Sequence, residues 1–133
     1  QPLQALGRIA SGGELSRISL AIQVVVSETS PVPTLVFDEV DVGIGGAVAE
    51  VVGQLLRRLA NHTQILCVTH LPQVASQGEH HLQVSKETGS GATQVCNLAG
   101  AERVDEIARM LGGIEMTDES VAHARAMLAG SGG

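Results

Sequence analysis

The sequence predicts an α/β fold in which parallel strands are flanked by helices. Two short apolar runs, residues 35–37 and 65–68, have the continuous hydrophobicity of strands that are covered on both faces of a parallel sheet. Between them lies a segment with helical spacing, so the order strand, helix, strand describes a βαβ unit. Hydrophobic residues make up 44% of the 133 residues and Phe37 is the only aromatic one, which indicates a globular protein with an aliphatic core.

A capping box marks the start of the first helix, which we expect over residues 13–27. Ser11 and Glu14 have the Ser-x-x-Glu spacing that satisfies free backbone N–H groups at a helix N-terminus. An apolar stripe follows at helical spacing, formed by Leu15, Ile18, Ile22 and Val25. The cap does not require Gly12 and Gly13, and bare backbone beside a serine hydroxyl is typical of an anion site. A capped helix without a ligand is the alternative.

The first predicted strand ends at Asp38 and Glu39, and the second ends just before His70. The helix between them carries an apolar stripe composed of Val48, Val52, Leu55 and Leu59. Because parallel strands present their carboxyl ends at one edge of a sheet, we expect Asp38, Glu39 and His70 to lie at the same edge, where ligands bind in open α/β folds.

The rest of the chain predicts an antiparallel hairpin followed by two helices. Leu82 and Val84 alternate with polar residues, a Gly-rich turn follows at 88–91, and residues 94–98 form the second strand. The chain does not start with Met and ends in Gly-Ser-Gly-Gly, so we expect a fragment with one structured segment over 1–129 and a flexible tail at 130–133.

Adjacent carboxylates at a strand end suit a hydrated Mg²⁺ beside a phosphate, with Asp38 reaching the metal through water and Glu39 positioning an attacking water. A solvated acidic loop is the alternative. A neutral imidazole at His70 could donate a hydrogen bond to a terminal phosphate, although a histidine satisfied by backbone groups is also possible.

Composition excludes several classes of protein. The net charge of -6 opposes a large nucleic-acid footprint on this segment, and no apolar run approaches the length of a membrane span. Two cysteines without a C-x-x-C pair indicate neither a disulfide framework nor a zinc site, which fits a reducing cytoplasm. The only lysine, Lys86, lies outside any phosphate-loop pattern, so we do not expect the chain to hold a nucleotide alone.

Four ordered motifs resemble those of an ABC-type ATPase head. The strings at 10–17, 37–46 and 69–75 are similar to the signature motif, the Walker B motif with its D-loop, and the switch histidine of the SMC-like DNA repair proteins. The resemblance extends from about residue 6 to residue 128. It implies the carboxyl-terminal lobe of a head, with parallel strands, flanking helices, a β-hairpin and C-terminal helices.

The resemblance also implies roles for particular residues. Asp38 would serve Mg²⁺ through water, Glu39 would be the general base, and His70 would sense the γ-phosphate. The nucleotide-binding residues, which face an ATP held by a second head or lie at the seam between the heads, would be Ser11, Gly12, Gly13, Glu14 and Asp41.

By the same resemblance, the cofactors are ATP and Mg²⁺, and the partners are an amino-terminal half of the head that carries Walker A, a second head in an ATP-dependent homodimer, and DNA bound through other regions. The complete protein would be a cytoplasmic, nucleoid-associated ATPase of recombinational double-strand break repair, with no membrane partner. A nucleotide-binding domain of an ABC transporter and a non-catalytic dimerisation module remain as alternatives.

Overall fold

The computed structural model describes residues 12–27, 29, 32–112 and 115–131. Their helices and strands are α1 (Gly12–Val26), β1 (Thr34–Asp38), α2 (Gly46–Leu59), β2 (Gln64–Val68), α3 (Pro72–Ala75), β3 (His81–Lys86), β4 (Thr93–Leu98), α4 (Ala101–Met110) and α5 (Asp118–Ser131). The mixed α/β class, the parallel strands, the hairpin and the C-terminal helices agree with the sequence prediction. No helix among these residues is both long and apolar enough to cross a membrane.

The chain divides into two compact units, one up to residue 77 and one from residue 78 onwards. The single head segment expected over 1–129 contains both, and its assignment as one segment stays a prediction. Helix α5 continues to Ser131, two residues into the stretch expected to be a flexible tail.

In the first unit, β1 and β2 form a parallel pair in the register Thr34↔Gln64 to Asp38↔Val68, joined by the crossover helix α2. Their covered face packs on the helices through a core whose buried members are Leu20, Phe37, Val40, Ala49, Val52, Leu56, Leu59 and Val74. This packing fixes where both strands end.

The opposite face of the parallel pair is open. Val36, Leu66 and Val68 are 66%, 48% and 60% exposed. The expectation that both faces would be covered is therefore not met by the part of the chain that the structure describes.

Helix α1 begins one residue before the predicted start and ends one residue before the predicted end. Its apolar stripe faces outward, since Ile22 and Val25 are 55% and 80% exposed, whereas Gly13 and Leu20 are buried. The helix thus presents its glycine turn, rather than the stripe, to the rest of the first unit.

In the second unit, β3 and β4 pair antiparallel and α4 is joined to the hairpin through polar side chains. Gln83 donates a 2.7 Å hydrogen bond to Glu106, which also accepts two bonds from Arg109. These bonds and the Arg109 charge lower the pKa of the Glu106 carboxyl, with the Arg109 hydrogen bond as the largest cause.

Candidate functional site

The two parallel strands end side by side, as the sequence predicts. Asp38 is the register partner of Val68, so Glu39 and His70 leave the sheet at the same edge. Asp38 and Glu39 are exposed, and the side chain of His70 is 73% exposed. Three groups able to act on a ligand therefore share one accessible edge.

Glu39 has an unusual backbone conformation. Its φ of 61° is the only positive value of a non-glycine residue among those described. A left-handed conformation costs such a residue about 1–2 kcal/mol. The turn closes with a 3.2 Å bond from the Val42 amide to the Glu39 carbonyl. Strain of this kind is concentrated at functional positions, where it sets the direction of a side chain.

The first turn of α1 lies against this strained residue. A Cβ on Gly12 would be 2.6 Å from Glu39 Oε2, and a Cβ on Gly13 would be 3.0 Å and 3.1 Å from the carbonyl oxygens of Glu39 and Val42. The bare backbone therefore has a packing reason inside the chain, in addition to the anion site that the sequence suggests. The positive end of the helix dipole also favours a carboxylate here.

The second turn of α1 ties the helix to the same loop. Ser16 donates a 2.8 Å hydrogen bond to the carbonyl of Asp38. Arg17 donates to the carbonyls of Val40 and Val42, at 3.3 Å and 2.8 Å. These bonds hold α1 and residues 38–42 in one arrangement.

Asp41 lies inside the chain. It is 2% exposed, its carboxylate accepts a hydrogen bond from the Thr69 hydroxyl, and its Oδ2 is 4.0 Å from Nδ1 of His70. The resemblance implies that Asp41 lies at a seam between heads, and this stays a prediction; within its own chain its side-chain neighbours are Thr69 and His70. Thr69 was not among the predicted site residues, and its signal in the sequence is no more than a hydroxyl directly before His70.

The remaining predicted residues are placed as follows. Ser11 lies outside the described residues. Gly12, Gly13 and Glu14 form the first turn of α1, and Glu14 is exposed.

The described residues contain no group of three or more His, Cys, Asp or Glu side chains that could hold a metal ion. A Mg²⁺ in a nucleotide site needs only one or two carboxylates, since waters and phosphate oxygens supply the other ligands. The exposed carboxylate of Asp38 at a strand end fits that requirement.

The thiol of Cys67 lies on the covered face of β2, beside this edge. Burial, followed by the charges of Asp41 and Asp38, raises its pKa to about 12. The thiol is therefore protonated at neutral pH. Because only the thiolate is nucleophilic, Cys67 is a core residue and not a nucleophile.

Sequence comparison identifies relatives of this chain. It is 54% identical to the DNA repair protein RecN of Vibrio cholerae over 96% of the chain. The chain is homologous to RecN. It is also 57% identical to RecN of Haemophilus influenzae and 43% identical to RecN of Bacillus subtilis, again over 96% of its length. It spans 23–24% of the length of these RecN relatives, and no family model matches it.

Two solved structures show the same fold. One comes from work described as "Structural biochemistry of ATP-driven dimerization and DNA stimulated activation of SMC ATPases", with a TM-score of 0.61, 19% identity and coverage of 81% of this chain and 66% of that one. The other is an Smc head domain with a coiled coil and joint derived from Pyrococcus yayanosii, with a TM-score of 0.64, 22% identity and coverage of 76% and 19%. The resemblance to SMC-like, ABC-type ATPase heads is therefore confirmed for the fold.

Proposed function

We propose that the chain supplies one half of the ATP-hydrolysing head of a longer, RecN-type DNA repair protein. One observation carries this proposal: Asp38, Glu39 and His70 occupy a single exposed edge, and the strained Glu39 touches the N-terminus of α1. The sequence similarity to RecN supports the wider role in repair.

The three side chains divide the chemistry of phosphoryl transfer to water. Glu39 is the general base, which orients the attacking water and takes its proton. Asp38 would hold Mg²⁺ through water, and His70 donates a hydrogen bond to the γ-phosphate as charge moves onto its oxygens. When bound, Mg²⁺ neutralises the phosphate charge and orients its oxygens.

In the homodimer, residues of one head face the nucleotide that the other head holds. Ser11, Gly12 and Gly13 offer a hydroxyl and the N–H groups of a helix N-terminus to the γ-phosphate held by the opposite head, with Glu14 in the same turn. The loop that contains Asp41 lies at the seam between the heads, and the Asp41 side chain is buried in its own chain.

An amino-terminal half with the Walker A motif completes each head. The chain has no phosphate-loop sequence, and the apolar face formed by Val36, Leu66 and Val68 offers a surface for such a partner. DNA is bound by other regions, since the -6 charge of this chain opposes contact with phosphates. In the complete protein, ATP-driven engagement of the heads serves recombinational repair of double-strand breaks.

The direct test is Glu39→Gln in the complete protein. Loss of a positioned general base should slow hydrolysis by roughly 10² to 10⁴, leave ATP binding intact and let engaged dimers accumulate. Glu50→Gln, on the exposed surface of α2, is the matched control and should hydrolyse ATP at the wild-type rate. A fall in turnover of less than about threefold for Glu39→Gln would remove Glu39 from this role.

A second test addresses the homodimer. Ser11→Arg should spare ATP binding and abolish hydrolysis that depends on head engagement. Mixed with a variant that lacks the Walker A lysine, it should form one intact composite site per heterodimer and recover activity. Normal hydrolysis by Ser11→Arg alone would show that Ser11 is only a helix cap, which is worth about 0.5–2 kcal/mol of stability.

A further inference from the structure

Among the described residues, the hydroxyl of Thr69 donates to the buried carboxylate of Asp41. A carboxylate that is 2% exposed needs hydrogen-bond donors, because removal of a charge from water is costly without them. The donor that the structure gives it is the hydroxyl of Thr69, on the neighbouring strand end. The two strand ends are thus connected directly beneath the exposed edge.

The same hydroxyl also fixes the turn that carries His70. Thr69 Oγ1 accepts a 3.0 Å hydrogen bond from the amide of Leu71 while it donates to Asp41. His70 lies between Thr69 and Leu71 in the chain, so the hydrogen bond from the Leu71 amide to Thr69 Oγ1 closes a turn around the His70 backbone. The side chain of His70 is 73% exposed.

The position of Asp41 also bears on the orientation of the His70 ring. Oδ2 of Asp41 is 4.0 Å from Nδ1, so this ring nitrogen faces the buried carboxylate. The other nitrogen, Nε2, lies across the ring and is the one left to a ligand. This distance is too long for a direct hydrogen bond, so the link between Asp41 and His70 runs through Thr69.

We propose that Asp41 and Thr69 are positioning residues, which hold His70 in the orientation needed to meet the γ-phosphate. Asp41 follows Glu39 by two residues, so the bond to Thr69 also sets the position of His70 relative to the general base. This inference rests on the proposed function, since it assigns these two residues to the ATPase reaction. Neither residue touches the nucleotide.

The experiment uses the complete protein and compares Thr69→Val with Thr69→Ser. Valine removes the hydroxyl, so His70 loses its fixed turn, and kcat should fall roughly 10- to 100-fold while KM for ATP changes little. Serine keeps the hydroxyl and should retain most of the activity. Thr63→Val is the matched control, because Thr63 is also half-buried at an end of β2 and its hydroxyl also donates, to the carbonyl of Val32.

The decisive readout is a double-mutant cycle with His70→Ala. If Thr69 acts through His70, Thr69→Val should lower kcat in the wild-type background and have no further effect when His70 is already absent. If Thr69→Val fails to fold, Asp41→Asn replaces it in the same cycle. Asparagine is isosteric and still accepts from Thr69, but without a charge, so we expect a smaller loss that again disappears beside His70→Ala.

The possible failures are distinct. Wild-type protein without ATPase activity would overturn the proposed function itself. Active wild-type protein in which Thr69→Val is as active as Thr63→Val would overturn only the inference. An equal fold-loss from Thr69→Val in both backgrounds would show a structural role unconnected with His70, and it would also overturn the inference.

Discussion

The two glycines at the start of α1 should respond differently to the same methyl group. In Gly12→Ala, the new Cβ would lie 2.6 Å from Oε2 of Glu39, which is the free end of a side chain. Ordinary contact begins at 3.4 Å, so the carboxylate must retreat by about 0.8 Å. Displacement of a positioned catalytic group by about 1 Å can cost ~10²-fold in rate, so we expect kcat of the complete protein to fall roughly 10- to 100-fold.

The stability of the same variant should not fall. The carboxylate can swing into solvent, and alanine improves on glycine in a helix by up to about 1 kcal/mol. In Gly13→Ala, by contrast, the Cβ would meet the carbonyl oxygens of Glu39 and Val42 at 3.0 Å and 3.1 Å. These are backbone atoms, since the Val42 carbonyl accepts from Arg17 and the Glu39 carbonyl accepts from the Val42 amide, so we expect a loss of about 1–3 kcal/mol of stability.

Thermal denaturation and steady-state ATP hydrolysis, measured on both variants of the complete protein, separate these effects. Gly12→Ala should unfold at or above the wild-type temperature with impaired turnover, whereas Gly13→Ala should unfold at a lower temperature. Normal turnover by Gly12→Ala would refute the view that its missing side chain makes room for Glu39. So would a greater loss of stability in Gly12→Ala than in Gly13→Ala.

Three further predictions concern the packing and the charges of the two units. Gly53→Ala should lower stability by about 1–3 kcal/mol, because its Cβ would lie 2.7 Å from a backbone oxygen of α3. Gly130→Ala has open space around it and should raise stability by up to about 1 kcal/mol. Chemical denaturation measures both changes. Cys67, with a thiol pKa of about 12, should react with iodoacetamide at pH 8 far more slowly than the chain's other, exposed cysteine, and equal rates in folded protein would contradict its burial. Arg109 lowers the folded-state pKa of Glu106, so the pair stabilises the protein above the unfolded-state pKa, and this contribution is lost as the pH falls through the folded-state pKa. Arg109→Gln should therefore destabilise the protein more at pH 7 than at pH 3. Equal losses of stability at the two pH values would exclude the linkage.

The edge that collects the site residues could be predicted from sequence because it follows from topology. Two apolar runs joined by a helix predict a parallel pair, and parallel strands end together, so Asp38, Glu39 and His70 were expected at one edge without knowledge of their neighbours. The structure places their strand ends there.

What the sequence could not indicate were the contacts made by side chains in the loops. A period of two or 3.6 residues describes strands and helices, but it does not say which way a loop residue points. The bond between Asp41 and Thr69, and the burial of Asp41, therefore had no signal in the sequence. The left-handed backbone of Glu39 likewise has no signal in residue type.

Periodicity also failed to distinguish the inner from the outer face of a helix. The stripe of α1 is apolar but points away from the described core, because Gly13 permits the close approach on the other side. In α2, Val48 belongs to the predicted stripe but is 50% exposed, while Ala49 on the adjacent line is buried. At both places a small residue, Gly13 in α1 and Ala49 in α2, is buried, and a pattern of hydrophobicity gives little weight to such residues.

The parallel pairing of β1 and β2 has a consequence for synthesis of the protein on the ribosome. Register partners such as Thr34 and Gln64 are 30 residues apart, with the whole of α2 between them. At about 5–20 residues per second, β1 emerges roughly two to six seconds before the strand that pairs with it. During that interval the edge of β1 that pairs with β2 is open, and unpaired edges of this kind associate with other chains. Asp38 and Glu39 place two like charges at the end of this edge, and charged side chains of this kind disfavour pairing between the edges of identical chains.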